Sequence, residues 1–129
     1  MHEMGIVQSI MEIVEQQARI HGARRVVRIS LEFGFLTAVQ PDAIRFAFDV
    51  LSKGGIADSA DLDITIIPIK VGCQQCTTET VIHDYSPYCP VCGSPSVQIV
   101  EGRDEMRIAS LEIEDHDTPS QDQIGRAHV

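Results

Sequence analysis

Cys73-Gln74-Gln75-Cys76 and Cys89-Pro90-Val91-Cys92-Gly93 stand twelve residues apart and contain all four cysteines of the chain. A Cys-x-x-Cys pair bends the backbone so that both sulfurs point at one centre, and two such pairs make a four-sulfur cage. Zn²⁺ has no ligand-field preference and takes four thiolates tetrahedrally in closed, structural sites. The spacer is slightly shorter than the usual zinc-ribbon range, yet long enough for a strand pair or an irregular loop. The competing reading is two reactive dithiols, which needs a Cys-x-x-Cys at the start of a helix after a strand. Pro90, Gly93 and Pro95 oppose a helix there. A disulfide framework requires an oxidising compartment. The first dozen residues carry Glu3 and Glu12 and no basic start, so no secretory signal is read. The expected location is cytoplasmic, where thiols stay reduced.

Composition narrows the role of such a cage. The chain has 129 residues, a net charge of −9 and 43% hydrophobic residues, with no Trp. One domain with a small appendage and an aliphatic core is expected. No run approaches the roughly 18 apolar residues of a membrane span. Residues 73–93 hold no Lys or Arg, but do hold Glu79 and Asp84. Nucleic-acid binding relies on cations against phosphates, so neither nucleic acid nor membrane is an expected partner.

Outward from the cassette, periodicity gives the elements. Residues 3–21 form an expected amphipathic helix, with Met4, Val7, Ile10, Met11, Val14 and Ala18 at helical spacing. Glu3 suits the positive end of its dipole, and Gly22 is the expected C-terminal cap. Residues 25–33 alternate as a strand with Val27, Ile29, Leu31 and Phe33 inward. Pro41 and Asp42 open a second helix, whose stripe is Ile44, Ala47, Phe48 and Leu51. Gly54-Gly55 stops it. Asp61–Ile69 is a second alternating strand, with Pro68 at an edge or at the end of pairing. Thr78–His83 and Val97–Val100 are short strands. Glu105–Glu114 is a last strand, in which a bulge near Ala109-Ser110 would reconcile two apolar parities.

The expected fold class is α+β: a small three-stranded sheet with two helices on one face, plus an inserted four-cysteine, zinc-ribbon-like module. The expected domains are 1–70 plus 104–114, and a metal module over 71–103. Residues 115–129 are polar and aperiodic, and are expected to be disordered. The last six, Ile124-Gly125-Arg126-Ala127-His128-Val129, match a reading-frame translation of a common sequencing-library adapter. They are read as an assembly artefact.

A closed cage does no chemistry of its own, so an open site must lie elsewhere. Of the five histidines, His21 suits a helix end, His83 lies within the cysteine loop, and His116 and His128 are in the tail. His2 directly follows the α-amino group. An amine, the next amide and an imidazole on that residue form fused chelate rings. Cu²⁺ and Ni²⁺ favour such tetragonal nitrogen sets. A His after the start Met also arises by accident, and spacing alone favours that reading. A bulky second residue normally prevents removal of Met1.

Met1-His2-Glu3-Met4 before an amphipathic helix resembles the start of the HypA/HybF hydrogenase-maturation nickel chaperones. So do Arg28-Ile29-Ser30-Leu31-Glu32-Phe33-Gly34-Phe35-Leu36, Val39-Gln40-Pro41-Asp42 and Phe46-Ala47-Phe48. The cassette and Glu105-Met106-Arg107-Ile108 match as well, so that residues 1–114 are covered in order. The resemblance implies a metallochaperone and not an enzyme. It implies Ni²⁺ on His2 and on main-chain nitrogens of Met1 and Glu3, and Zn²⁺ on Cys73, Cys76, Cys89 and Cys92. It implies docking to a HypB-type GTPase and delivery to the [NiFe]-hydrogenase large subunit, with urease maturation served in some relatives. Gly54-Gly55-Ile56 departs from the family, which more often has a Thr there. That loop touches neither metal site. Two alternatives stay open on the residues: a zinc-ribbon adaptor without nickel, and a thiol oxidoreductase.

Overall fold

A computed structural model describes residues 3–84, 86–115 and 124–127, the last four by their backbone only. In order the elements are α1 (Glu3–Ile20), β1 (Ala23–Gly34), a 3-10 turn (Phe35–Thr37), α2 (Pro41–Ser52), β2 (Asp61–Ile67), β3 (Lys70–Cys73), β4 (Glu79–Val81), β5 (Val97–Glu101), β6 (Met106–Asp115) and β7 (Ile124–Ala127). One sheet has the order β2-β1-β6-β7 and the other β4-β3-β5. The chain divides into two compact units. The first takes residues up to Leu31, Val39–Ile64 and from Arg107 on; the second takes Glu32–Ala38 and Thr65–Met106.

The first unit is built on aliphatic burial. α1 buries Ile6, Val7, Met11, Val14 and Ala18, and packs against α2. Its apolar stripe is rotated from the expected one: Ile6 is buried, while Met4 is 39% exposed. Gly22 ends α1 as expected, at φ +66°, with its amide donating to the Arg19 carbonyl at 3.2 Å. Only glycine adopts that conformation without a Cβ penalty. α2 starts at Pro41, whose missing N–H would have had no helical acceptor. It buries Ile44, Ala47, Phe48 and Ser52, and not Leu51 fully.

β1 alternates from Ile29 onward, with Ile29, Leu31 and Phe33 buried. Before that the parity differs from expectation: Val26 is buried and Val27 is intermediate. The Val26 amide donates to the Ile56 carbonyl at 2.9 Å, so the strand start is set by the loop after α2. In β6, Ile108, Leu111 and Ile113 are all buried, and the inward parity changes between Ile108 and Leu111. The opposite face of the sheet is polar. Arg28 lies 3.6 Å from both Asp61 and Asp63 and 3.8 Å from Glu112. A sheet with one solvated face has its helices on the other.

β7 lies within the stretch 115–129 expected to be disordered. Ile124–Ala127 pair antiparallel with β6, Glu114 opposite Ile124 and Leu111 opposite Ala127. The open N–H and C=O row of a sheet edge accepts such a strand with no core face of its own. Residues 116–123 and 128–129 lie outside the described residues.

The second unit is wider than the segment 71–103. Gly34 donates to the Glu105 carbonyl and Leu36 to the Gly102 carbonyl, both at 2.9 Å. Gly102 sits at φ +89°, and a Cβ there would come 2.4 Å from the Pro68 carbonyl oxygen. Two adjacent positions of β1 test the two faces of the sheet. Ile29→Ala lowers the unfolding free energy by about 2–5 kcal/mol, whereas exposed Arg28→Ala changes it by less than about 1 kcal/mol. Urea denaturation of both variants measures the difference.

Candidate metal centre

β3 and β5 run antiparallel, with Cys73 opposite Val97, and β4 pairs on the other side of β3. This small sheet brings the two Cys-x-x-Cys turns together. Both turns follow one hydrogen-bond pattern. The Cys73 amide donates to the Thr78 carbonyl at 3.1 Å, and the Cys89 amide to the Ser94 carbonyl at 2.8 Å. The Thr77 amide donates to the Cys73 carbonyl at 2.9 Å, and the Gly93 amide to the Cys89 carbonyl at 2.9 Å. Each turn closes through a left-handed residue, Thr77 at φ 59° and Gly93 at φ 79°. Gly93 adopts it freely, whereas a β-branched threonine there is strained. Thr77 is a feature the sequence conceals, since its residue type argues against its conformation.

The sulfurs of Cys73, Cys76, Cys89 and Cys92 lie within 4.8 Å of one another. Cys73 Sγ is 3.6 Å from Cys92 Sγ, and Cys76 Sγ is 3.7 Å from Cys89 Sγ. No disulfide joins them. A tetrahedral metal with bonds of about 2.3 Å separates its sulfurs by ~3.8 Å, so the four side chains fit such an ion. Backbone amides supply further order. Cys76 N–H donates to Cys73 Sγ at 3.5 Å, and Val91 and Cys92 N–H donate to Cys89 Sγ at 3.3 and 3.4 Å. Neither Cys-x-x-Cys opens a helix, which removes the setting a dithiol oxidoreductase uses to activate its thiol.

The same donors shape ionisation. Hydrogen bonds from the Thr78 hydroxyl and amide hold the Cys76 thiol down at about 6. The Cys92 amide lowers Cys89. For Cys92 the largest single influence, the Ser94 amide, favours the thiolate, but desolvation and the sulfurs of Cys73, Cys89 and Cys76 together push it up to about 12.

The other expected site residues are placed unequally. Met1 and His2 lie outside the described residues. Glu3 opens α1, and its Oε2 accepts a hydrogen bond from the Gln40 amide at 3.4 Å. Gln40 is the N-cap of α2, so Glu3 ties the starts of both helices together. That contact spans 37 residues and carries no local sequence signal. His21 and His83 are exposed, and among the described residues the cysteines form the one cluster of three or more metal-ligating side chains.

A metal binds only the deprotonated thiols, so its affinity rises with pH. Cys92, at about 12, must release a proton throughout the neutral range, whereas Cys76, at about 6, must do so only in more acid solution. The dependence of log Kd for Zn²⁺ on pH therefore steepens below about pH 6. Thr78→Val removes the hydroxyl donor and moves that break upward, as read by competition with a chromophoric chelator.

The family model for HypA, described as hydrogenase/urease nickel incorporation, metallochaperone, matches residues 1–113. A hydrogenase maturation factor HypA from Azoarcus sp. (strain BH72) is 43% identical over 115 residues, covering 89% of this chain and 100% of that protein. One from Acidithiobacillus ferrooxidans is 39% identical over 114 residues, 88% of this chain and 100% of its own length. The solution structure of the Ni metallochaperone HypA from Helicobacter pylori superposes with a TM-score of 0.62 at 25% identity, over 90% of this chain and 100% of that one. A second HypA solution structure gives 0.67 at 27% identity, over 88% and 96%. The chain belongs to the HypA family of nickel-incorporation metallochaperones.

Proposed function

We propose that this protein carries Ni²⁺ at its N-terminus and hands it over during [NiFe]-hydrogenase maturation, while Cys73, Cys76, Cys89 and Cys92 hold a structural Zn²⁺. The observation that carries the reading is a family match that begins at residue 1 and so includes His2. The proposed cargo ligands are the His2 imidazole and main-chain nitrogens of Met1, His2 and Glu3. The first N–H groups of an α-helix have no intrahelical acceptor. Deprotonating the Glu3 amide for Ni²⁺ therefore costs α1 none of its own hydrogen bonds. The Glu3 carboxylate, engaged with the Gln40 amide, is a positioning group at the helix start and adds negative charge beside the cation. Zn²⁺, when bound, supplies a fixed tetrahedral node and no turnover chemistry.

In this reading the first unit is the nickel-binding domain and the second the zinc module. The partners are a HypB-type GTPase and the large subunit of [NiFe]-hydrogenase in the cytoplasm, with urease maturation proteins as further clients. Release follows from the site's position. Ligands at a chain end are exchanged one at a time by an acceptor, and acid weakens them because amine and imidazole protonate.

Untagged protein with a free Met1 amine binds one Ni²⁺ per chain beside one Zn²⁺. His2→Ala loses the nickel and keeps the zinc. Glu3→Ala keeps the planar nitrogen set and the d-d spectrum that goes with it. Equal nickel binding by wild type and His2→Ala would remove His2 from the nickel site, whereas zinc alone in both would favour an adaptor without nickel.

A further inference from the structure

The second unit contains a cavity of about 760 Å³ that none of the metal ligands lines. Its floor is one side of the small sheet, with Val71 of β3 and Val97 and Ile99 of β5. The 3-10 turn after β1 forms one wall through Phe35 and Leu36. The segment after β4 lines it too, with Ile82, His83, Asp84 and Pro87. The volume lies in the range of roughly 300–1,000 Å³ typical of binding clefts.

Phe35 and Leu36 continue this apolar surface into solvent, at 58% and 48% exposure. The turn that presents them is held in place. The Leu36 amide donates to the Gly102 carbonyl at 2.9 Å, the Ala38 amide to the Phe35 carbonyl at 3.2 Å, and Thr37 Oγ1 to the Gly34 carbonyl at 2.8 Å. Ala38 closes it in the left-handed region at φ 59°. Large apolar side chains on a pre-ordered turn bind with little further loss of conformational entropy.

Charge selects the occupant. This unit has two cations, Lys70 and Arg103, against Glu32, Glu79, Asp84, Glu101, Asp104 and Glu105. Lys70 is paired with Glu101 at 3.2 Å. Arg103 lines the cavity and makes no ion pair among the described residues. Asp84 lines the same cavity but does not pair with Arg103, so a carboxylate on an apolar ligand has a guanidinium to pair with there. The surface runs beyond the cleft over Phe35 and Leu36, which favours an extended polypeptide over a small molecule. We infer that this groove docks a short apolar peptide segment of a partner protein, with an acidic side chain of that segment paired to Arg103. The inference does not depend on the proposed nickel ligands.

The test uses zinc-loaded, ¹⁵N-labelled full chain and two blocked five-residue peptides of Leu, Phe and Ile, one ending in Glu and the other in Lys. Amide shifts centre on Phe35, Leu36, Ile99 and Arg103, and the Glu peptide binds about tenfold more tightly. Arg103→Glu reverses the order of the two peptides. Phe35→Ser weakens both about tenfold with zinc content and far-UV circular dichroism unchanged. Equal affinities, shifts centred elsewhere, or no binding at millimolar peptide would overturn the inference. Displacement by octanoate at lower concentration than by peptide would make the cleft a small-molecule site. Concentration-dependent shifts of the same amides without peptide would make the occupant a second copy of the chain.

Discussion

Four sulfurs within 4.8 Å of one another cannot all ionise without a cation among them, because like charges at that spacing repel strongly where water is partly excluded. The second unit is arranged around this constraint. Its three strands are four, three and five residues long, shorter than a sheet usually needs to be stable alone. Its core, among the described residues, is Phe33, Val71, Cys73 and Cys89. Burial on that scale supplies little folding free energy. A bound metal would couple its own large binding free energy to folding, and here it would do so where β3, β5 and both cysteine turns converge.

The first unit meets the same loss of chain entropy in another way. Val7, Val14, Val26, Ile29, Leu31, Ile44 and Leu111 are almost wholly buried, and each full burial contributes about 1.5–3 kcal/mol. No metal is needed to bring α1 and α2 together. The ion pairs on the solvated sheet face, with Arg28 shared among three carboxylates, add little by comparison. Their effect is to keep that face polar and unsuited to burial. A unit stabilised by its own core does not depend for its fold on a metal that comes and goes.

How much was legible depended on how local the cause was. The cysteine cage could be read because Cys-x-x-Cys is a four-residue device and both copies are complete. Gly22 and Pro41 marked helix ends through the backbone freedom of one residue and the missing N–H of the other. The alternation of Ile29, Leu31 and Phe33 survived, whereas its continuation back to Val27 did not. The exchange of Val27 for Val26 is imposed by Ile56, thirty residues away. β3 escaped notice because Lys70-Val71-Gly72-Cys73 is short and carries a glycine. The Glu3–Gln40 contact and the left-handed Thr77 were illegible for the same reason: tertiary structure overrides what those residue types prefer. The tail had no periodicity, and β7 needs none, since its pairing is supplied by the backbone edge of β6.

The proposed division of the two metals follows from what each ligand set permits. Four side chains drawn from two turns, each pinned by backbone amides, form a cage that must open at several points together before its metal escapes. Thiolates are also soft donors that favour zinc, so that cage is a poor place for exchangeable nickel. Nitrogen donors at a chain end have the opposite properties. Their fused chelate rings suit the planar geometry of Ni²⁺, and an acceptor can replace them singly because no closed cage of side chains holds them. The Glu3 carboxylate, held by the Gln40 amide at 3.4 Å, fixes the point from which such a ligand set would extend. The buried residues of α1 begin at Ile6, so exchange at the first three residues removes none of them from the core.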